Sequence, residues 1–283
     1  MIVNEPVERI GAITPEAFLE RYKSTGTPVI LEELSHQWPA RERWSLDYFK
    51  AVAGNALIPL YDSKPSRGYK TQHSAAAHMR LADYLDHLVA GESDLRMFFC
   101  NLFAQVPKLT DDFEYPDIGL KLFKRLPVLF MGGKDARVQM HFDIDRPDIL
   151  LCHFGGRKRV LLVAPGFSPH MYRVPYSFSS LADIDFEGPD YQKYPALRHV
   201  KGELAELKHG DVLYIPPGYW HFVMYDEISF SMALRAFPRD LKNLTQMVNN
   251  LLVLRPVEMT MRKLIGQPWN DRNERLAVRR ARV

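Results

Sequence analysis

Asp148-Ile-Leu-Leu-Cys-His-Phe-Gly-Gly-Arg-Lys-Arg-Val-Leu-Leu-Val163 is the stretch on which the reading of the fold turns. Two short apolar runs, Asp148 to Phe154 and Arg157 to Val163, flank Gly155-Gly156, a dipeptide that predicts a tight hairpin. Similar runs lie on both sides. Pro127-Val-Leu-Phe-Met131 and Arg137-Val-Gln-Met-His141 precede it, and Glu203-Leu-Ala-Glu-Leu207, Asp211-Val-Leu-Tyr-Ile215, His221-Phe-Val-Met-Tyr225 and Ile228 to Phe237 follow. Many short strands separated by turns predict a mainly β chain, folded as a sandwich or barrel.

Outside this region the period changes. Thr14-Pro15 reads as an N-cap with proline at N1, opening a helix through Tyr22 that ends near Gly26, and Pro28-Val-Ile-Leu-Glu32 is a short strand. Ser45 caps a second helix with Leu46, Phe49 and Val52 on one face and Gly54 as its stop. Leu81, Tyr84, Leu85 and Leu88 recur at helical spacing and predict a third. After Pro238 helix returns: Leu241, Leu244, Val248, Leu251 and Leu252 form an apolar stripe, and a further helix is predicted from Val257 to Ile265. The default expectation for the stripe is packing on the β region.

The 283 residues, 46% apolar and 25% charged, fit a soluble globular protein of one large β-rich domain with additions, or of two smaller domains. A net charge of +3 is too small to argue for nucleic acid across the whole surface. Two cysteines, Cys100 and Cys152, make a disulfide framework improbable and favour a reducing compartment. Met1-Ile-Val-Asn-Glu-Pro6 has no signal-peptide pattern, and no apolar stretch reaches the length of a membrane span. The expected location is cytoplasmic. The basic tail from Arg272, with Arg275, Arg279, Arg280 and Arg282, is expected to be a solvated or frayed terminus, with nucleic acid or an acidic partner as the alternative.

The residues that carry chemistry are His141-Phe142-Asp143 and His221, the last closing the run Gly210-Asp-Val-Leu-Tyr-Ile-Pro-Pro-Gly-Tyr-Trp-His221. Strand alternation turns His141 and Asp143 to one face and Phe142 to the other. Pro216-Pro217-Gly218 breaks the second strand and can redirect the chain before His221, and a barrel can bring the two strands together. Two imidazoles and one carboxylate can hold one face of an Fe(II) ion and leave the other positions open. The bland alternative is three surface or core residues with no metal. Asp145 shares the face of Asp143, but Arg146-Pro147 after it reads as a turn, so Asp143 is the preferred ligand and Asp145 a solvated turn residue. His153 reads as structural, His170, His199 and His209 as loop residues, and Tyr219 and Trp220 as packing.

Together with Phe18-Leu-Glu-Arg-Tyr22, Pro28-Val-Ile30, Trp38-Pro-Ala40 and Trp44-Ser-Leu-Asp-Tyr48, these motifs make residues 10–237 resemble the JmjC-like branch of the cupin superfamily, in the style of the asparaginyl hydroxylase that acts on hypoxia-inducible factor. The resemblance implies a double-stranded β-helix over residues 1–237, with N-terminal α/β elements, and a C-terminal helical segment, 238–283, that builds a homodimer. It implies Fe(II) on His141, Asp143 and His221, and 2-oxoglutarate as cosubstrate. Lys158, in Gly156-Arg-Lys-Arg-Val160, is the position matching the family's lysine for the far carboxylate of 2-oxoglutarate, once an insertion or bulge near Pro147 or Gly155-Gly156 is allowed. Arg157 and Arg159 alternate to the opposite face; a register slip of one residue would hand the role to an arginine, and a solvated basic strand end is the bland alternative. The chain departs from the family at three places: Phe98 stands near a tyrosine, Asp148 near an asparagine, and Ala233 or a neighbour near another asparagine.

The leading expectation is therefore an Fe(II)- and 2-oxoglutarate-dependent hydroxylase. A metal cupin without 2-oxoglutarate and a non-catalytic scaffold are the alternatives. The substrate stays open between a protein side chain, an RNA and a small molecule.

Overall fold

The computed structural model describes residue 2 and residues 5–62, 74–91 and 94–282. Met1, Val3 and Asn4 of the N-terminal stretch and Val283 of the C-terminal segment lie outside the described residues. The predicted runs form eight strands, numbered here β1 (Val128–Gly132), β2 (Arg137–His141), β3 (Asp148–Phe154), β4 (Lys158–Val163), β5 (Gly202–Leu207), β6 (Val212–Ile215), β7 (Trp220–Tyr225) and β8 (Ser229–Ala236). One sheet runs β6-β3-β8-β1 and the other β5-β4-β7-β2, the strand order of a double-stranded β-helix. Glu5–Pro6 extends the small sheet at β5, whereas Arg9–Ile10 and Val29–Leu31 at one end and Arg96–Cys100, Leu57–Tyr61 and Ala77–Arg80 at the other widen the large sheet to nine strands.

Alternation along the strands sorts side chains into three cores. Ile149 and Leu151 of β3, Val160 and Leu162 of β4, and Ala233 of β8 face the barrel interior. Leu150, Cys152 and Phe154, with Phe230, Met232 and Leu234, face outward from the large sheet onto Phe18, Tyr22, Trp44 and Phe49 of the N-terminal helices. Leu161, Val163, Trp220, Phe222 and Met224 face outward from the small sheet under the loops that carry Met171, Phe186 and Leu197. All eight residues of β8 are buried, because the sheet is covered on both faces. Burying Phe18 and Phe49 contributes about 1.5–3 kcal/mol each, so the N-terminal helices are integral to the β core.

The helix caps follow the sequence. Thr14 Oγ1 accepts from the Ala17 N–H and Ser45 Oγ from that of Tyr48, while Leu81, Tyr84, Leu85 and Leu88 are buried. Gly155-Gly156 differs from expectation. Both glycines have positive φ and make a sharp turn, but β3 and β4 lie in opposite sheets. The edges of β3 are already taken by β6 and β8, so β4 crosses over to pair with β5 and β7 instead of closing a hairpin.

The C-terminal helices run Leu241–Asn249, Arg255–Ile265 and Gln267–Arg280, the first two joined by a π-helical turn, Asn250–Leu254. The apolar stripe does not pack on the barrel: Leu241 and Leu252 are 76% and 71% exposed, and Leu244 and Val248 are exposed too. The first of these helices and the π-helical turn hydrogen-bond to the barrel side, Arg146 donating to Asn243 and Asn250 to the Ile144 carbonyl. The basic tail is not frayed, since its helix buries Trp269 and Ala277. Among the described residues no helix is long and apolar enough to cross a membrane.

Candidate metal centre

His141 ends β2 and His221 lies near the start of β7, where the two are direct cross-strand partners with rings 4.1 Å apart. A β-bulge between His221 and Val223 sets this register, because three residues of β2 advance against two of β7. The extra residue turns His141 into the barrel on the same side as His221. Asp143, just past the end of β2, places Oδ1 3.7 Å from Nε2 of each histidine. The three ligand atoms lie within 4.8 Å of one another, close enough that the group could hold a metal ion.

Both imidazoles are oriented by their own strands. Nδ1 of His141 lies 2.7 Å from the Gln139 carbonyl, and Nδ1 of His221 lies 3.2 Å from that of Tyr219. An N–H at each Nδ1 donates to the carbonyl, which leaves a lone pair on each Nε2 aimed at the shared space. Cis ligands at ordinary metal distances stand about 3 Å apart, so a small contraction brings these atoms onto an ion. The donor set fits a divalent cation with open positions.

Asp143 has a partner that the sequence did not reveal. Arg235 of β8, 5% exposed, donates from Nη1 to Asp143 Oδ2 at 2.7 Å and from Nη2 to Asp145 Oδ1 at 2.5 Å. Burial alone would raise the Asp143 carboxyl, but Arg235 and the two histidines outweigh it and bring it down to about 2. Asp145 is no solvated turn residue; burial raises its carboxyl and Arg235 offsets part of that. With Oδ2 engaged, Asp143 presents Oδ1 alone to the histidines. Burial holds the His221 imidazole below its ordinary value, towards the neutral form a metal needs.

Deeper in the barrel, Lys158 is 1% exposed. It shares the inward face with Val160 and Leu162, whereas Arg157 pairs outside with Glu227 and Arg159 with Asp226 and Glu187. Lys158 Nζ donates to Ser231 Oγ at 2.6 Å and sits 4.1 Å above the Tyr225 ring, which Gly132 lets approach. His153 is structural: Nδ1 is 3.0 Å from Ser231 Oγ, and Nε2 is 3.2 Å from the Gly156 carbonyl. Burial lowers the ammonium of Lys158 to about 7, and among the described residues it has no carboxylate partner.

The three departures fall differently. Phe98 packs on Phe130 and Tyr61 and offers no hydroxyl. Ala233 lines the interior between Ser231 and Arg235. Asp148 is outside the barrel, accepting from the Tyr214 hydroxyl at 2.7 Å and paired with Lys23 at 2.9 Å, so it takes no part in the centre. Arg235, Ser231 and Tyr225 were missed; the one cue was that β8 carries an arginine in an otherwise apolar and small-residue run.

Comparison with known proteins places this arrangement. A family model described as "Cupin-like domain" matches residues 15–249. The chain is 28% identical over 243 residues to Jumonji C domain-containing protein 5 of Drosophila melanogaster, covering 81% of this chain and 59% of that protein. It is 28% identical over 239 residues to lysine-specific demethylase 8 of Danio rerio, covering 80% and 57%. It is 26% identical over 250 residues to tRNA wybutosine-synthesizing protein 5 of Gallus gallus, covering 82% and 76%. The chain thus spans little more than half the length of the first two and about three quarters of the third.

Proposed function

The chain belongs to the cupin-like domain family, and from that premise we propose that it is an Fe(II)- and 2-oxoglutarate-dependent hydroxylase. The observation that carries this reading is a buried lysine that has no carboxylate partner among the described residues, in the barrel whose mouth holds His141, Asp143 and His221. A buried ammonium is costly unless an anion joins it, and a dicarboxylate reaching inward from the metal would supply that anion.

His141 Nε2, His221 Nε2 and Asp143 Oδ1 would hold Fe(II), with Arg235 keeping Asp143 ionised and confined to one oxygen. Lys158 and Ser231 would bind the far carboxylate of 2-oxoglutarate. The apolar wall of Val160, Leu162 and Ala233 excludes water around it. With this cosubstrate and O2, Fe(II) would supply oxidative decarboxylation to succinate and CO2 coupled to hydroxylation of a C–H bond, one atom of O2 entering succinate and the other the new hydroxyl. The relatives are named for lysine demethylation and for wybutosine synthesis, so a protein side chain, an RNA nucleoside and a small molecule are the substrate classes to screen.

Anaerobic Fe(II) titration with and without 2-oxoglutarate tests the reading through the weak visible absorption of the chelate. The band is expected in the wild type and lost in His141→Ala and Lys158→Ala. Iron binding without the band would reject it in favour of a cupin that does not use 2-oxoglutarate, a reading that Phe98 supports because it cannot donate a hydrogen bond to that cosubstrate. We also propose a homodimer through the C-terminal helices, supported by the exposed stripe of Leu241, Leu244, Val248 and Leu252.

A further inference from the structure

Two adjoining cavities lie between the loops near the metal centre and the C-terminal helices. One, of about 480 Å³, is lined by Arg146, Arg173 and Lys242 with Phe142 and Gly218. The other, of about 410 Å³, is lined by Arg173, Tyr176 and Arg280, and the two share Ser168, Arg173 and Leu254. Four cations line the pair, and no carboxylate among the described residues does.

The two arginines in the middle are held but not neutralised. Arg146 packs on Gly218, where an added Cβ would stand 2.3 Å from Nη2, and its Nε donates to Asn243 Oδ1 at 2.9 Å. Among the described residues it makes no ion pair; Asp240, the acid that attracts it, has both oxygens engaged by Asn243. Arg173 lies 4.9 Å over the Phe142 ring, and its Nε donates to the Ser177 carbonyl at 3.2 Å. Burial and then the charge of Arg146 push its guanidinium below the ordinary value. Two neighbouring guanidinium groups, both partly buried, repel each other until an anion bridges them.

We propose that this groove binds a phosphate-bearing ligand, with one phosphate between Arg146 and Arg173 and Lys242 and Arg280 at the ends. Guanidinium forks match phosphate oxygens in pairs, and four cations exceed what a single carboxylate needs. The loop from Asp143 to Arg146 joins the groove to the metal centre, so a substrate held there by its phosphate would lie beside the reacting position. That placement rests on the proposed hydroxylase; the phosphate site does not.

Fluorescence anisotropy on the full, metal-free chain tests it, with a labelled short single-stranded RNA as probe and adenosine monophosphate and inorganic phosphate as competitors. Arg146→Gln and Arg173→Gln are each expected to weaken RNA binding about tenfold or more, while Lys121→Gln, on an exposed site elsewhere, leaves it unchanged. Affinity should fall with salt, with a slope of about −0.7 per phosphate contacted. Competition by the mononucleotide at similar affinity would identify a small phosphate ligand, and much tighter RNA binding a polynucleotide; both sustain the site. No binding of any probe at millimolar concentration, or equal losses in Lys121→Gln, would overturn it. Should either arginine variant fail to fold, the exposed pair Lys242→Gln with Arg280→Gln carries the same test, at threefold or more. The Fe(II) and 2-oxoglutarate titration reads the hydroxylase separately, so failure of one is not mistaken for failure of the other.

Discussion

Replacing Lys158 with methionine is expected to stabilise the metal-free protein and, at the same time, to weaken the proposed binding of 2-oxoglutarate. Folding carries this lysine from an ordinary value of 10.5 to about 7, with burial as the cause. Between those values the unfolded chain holds a proton that the folded chain has released, so stability rises as pH rises from 7 to 10.5. Below pH 7 both states are protonated and the full penalty applies. A fall of this size corresponds to at most roughly 4–5 kcal/mol. Methionine removes that penalty and forfeits the hydrogen bond to Ser231, about 1 kcal/mol, while Ser231 keeps His153 as partner. The net gain near neutral pH is then about 2–4 kcal/mol, or about 2–4 °C in Tm for each kcal/mol. Urea denaturation of both proteins at pH 6.5 and 9.5 measures it: the wild type should gain about 3 kcal/mol more than the variant across that interval. Isothermal titration with 2-oxoglutarate should show a loss of about 2–5 kcal/mol in the variant, thirtyfold or more. A variant less stable than the wild type at pH 6.5, or one binding 2-oxoglutarate within threefold of it, would refute the reasoning.

In the wild type, 2-oxoglutarate affinity should fall by up to about tenfold per pH unit above 7, as the ammonium that pairs with it is lost; titration at pH 7, 8 and 9 checks this. Arg235→Met leaves Asp143 and Asp145 facing each other without their shared cation and should cost about 3–5 kcal/mol in chemical denaturation, with part recovered by adding Asp145→Asn; a loss below about 1 kcal/mol would show that the pair is not needed. Gly218→Ala places a Cβ 2.3 Å from the Arg146 guanidinium at φ +77°, and a strain of about 1–3 kcal/mol should appear as a lower Tm. Leu244→Arg with Leu252→Arg should turn the proposed dimer into a monomer in light scattering without changing the circular dichroism spectrum.

Much of this molecule is local and therefore legible along the chain. The strands from Val128 to Ala236, the caps at Thr14 and Ser45 and the Leu81 helix depend on side-chain period and on hydrogen bonds reaching only three residues. The inward direction of Lys158 follows from alternation along one strand. What pairing decides was beyond reach: whether β3 and β4 share a sheet depends on β6 and β8 having already taken the edges of β3. The bulge that aligns His141 with His221 is likewise a relation between two strands.

The chain alone determined the donor types and their order, because these follow from residue identity. Only the tertiary structure decided that Arg235, 92 residues from Asp143, closes on it, that Asp148 turns away to Lys23, and that Arg146 and Arg173 meet beneath the C-terminal helices. Those are contacts between charges distant in sequence, and packing of the whole barrel sets their separation.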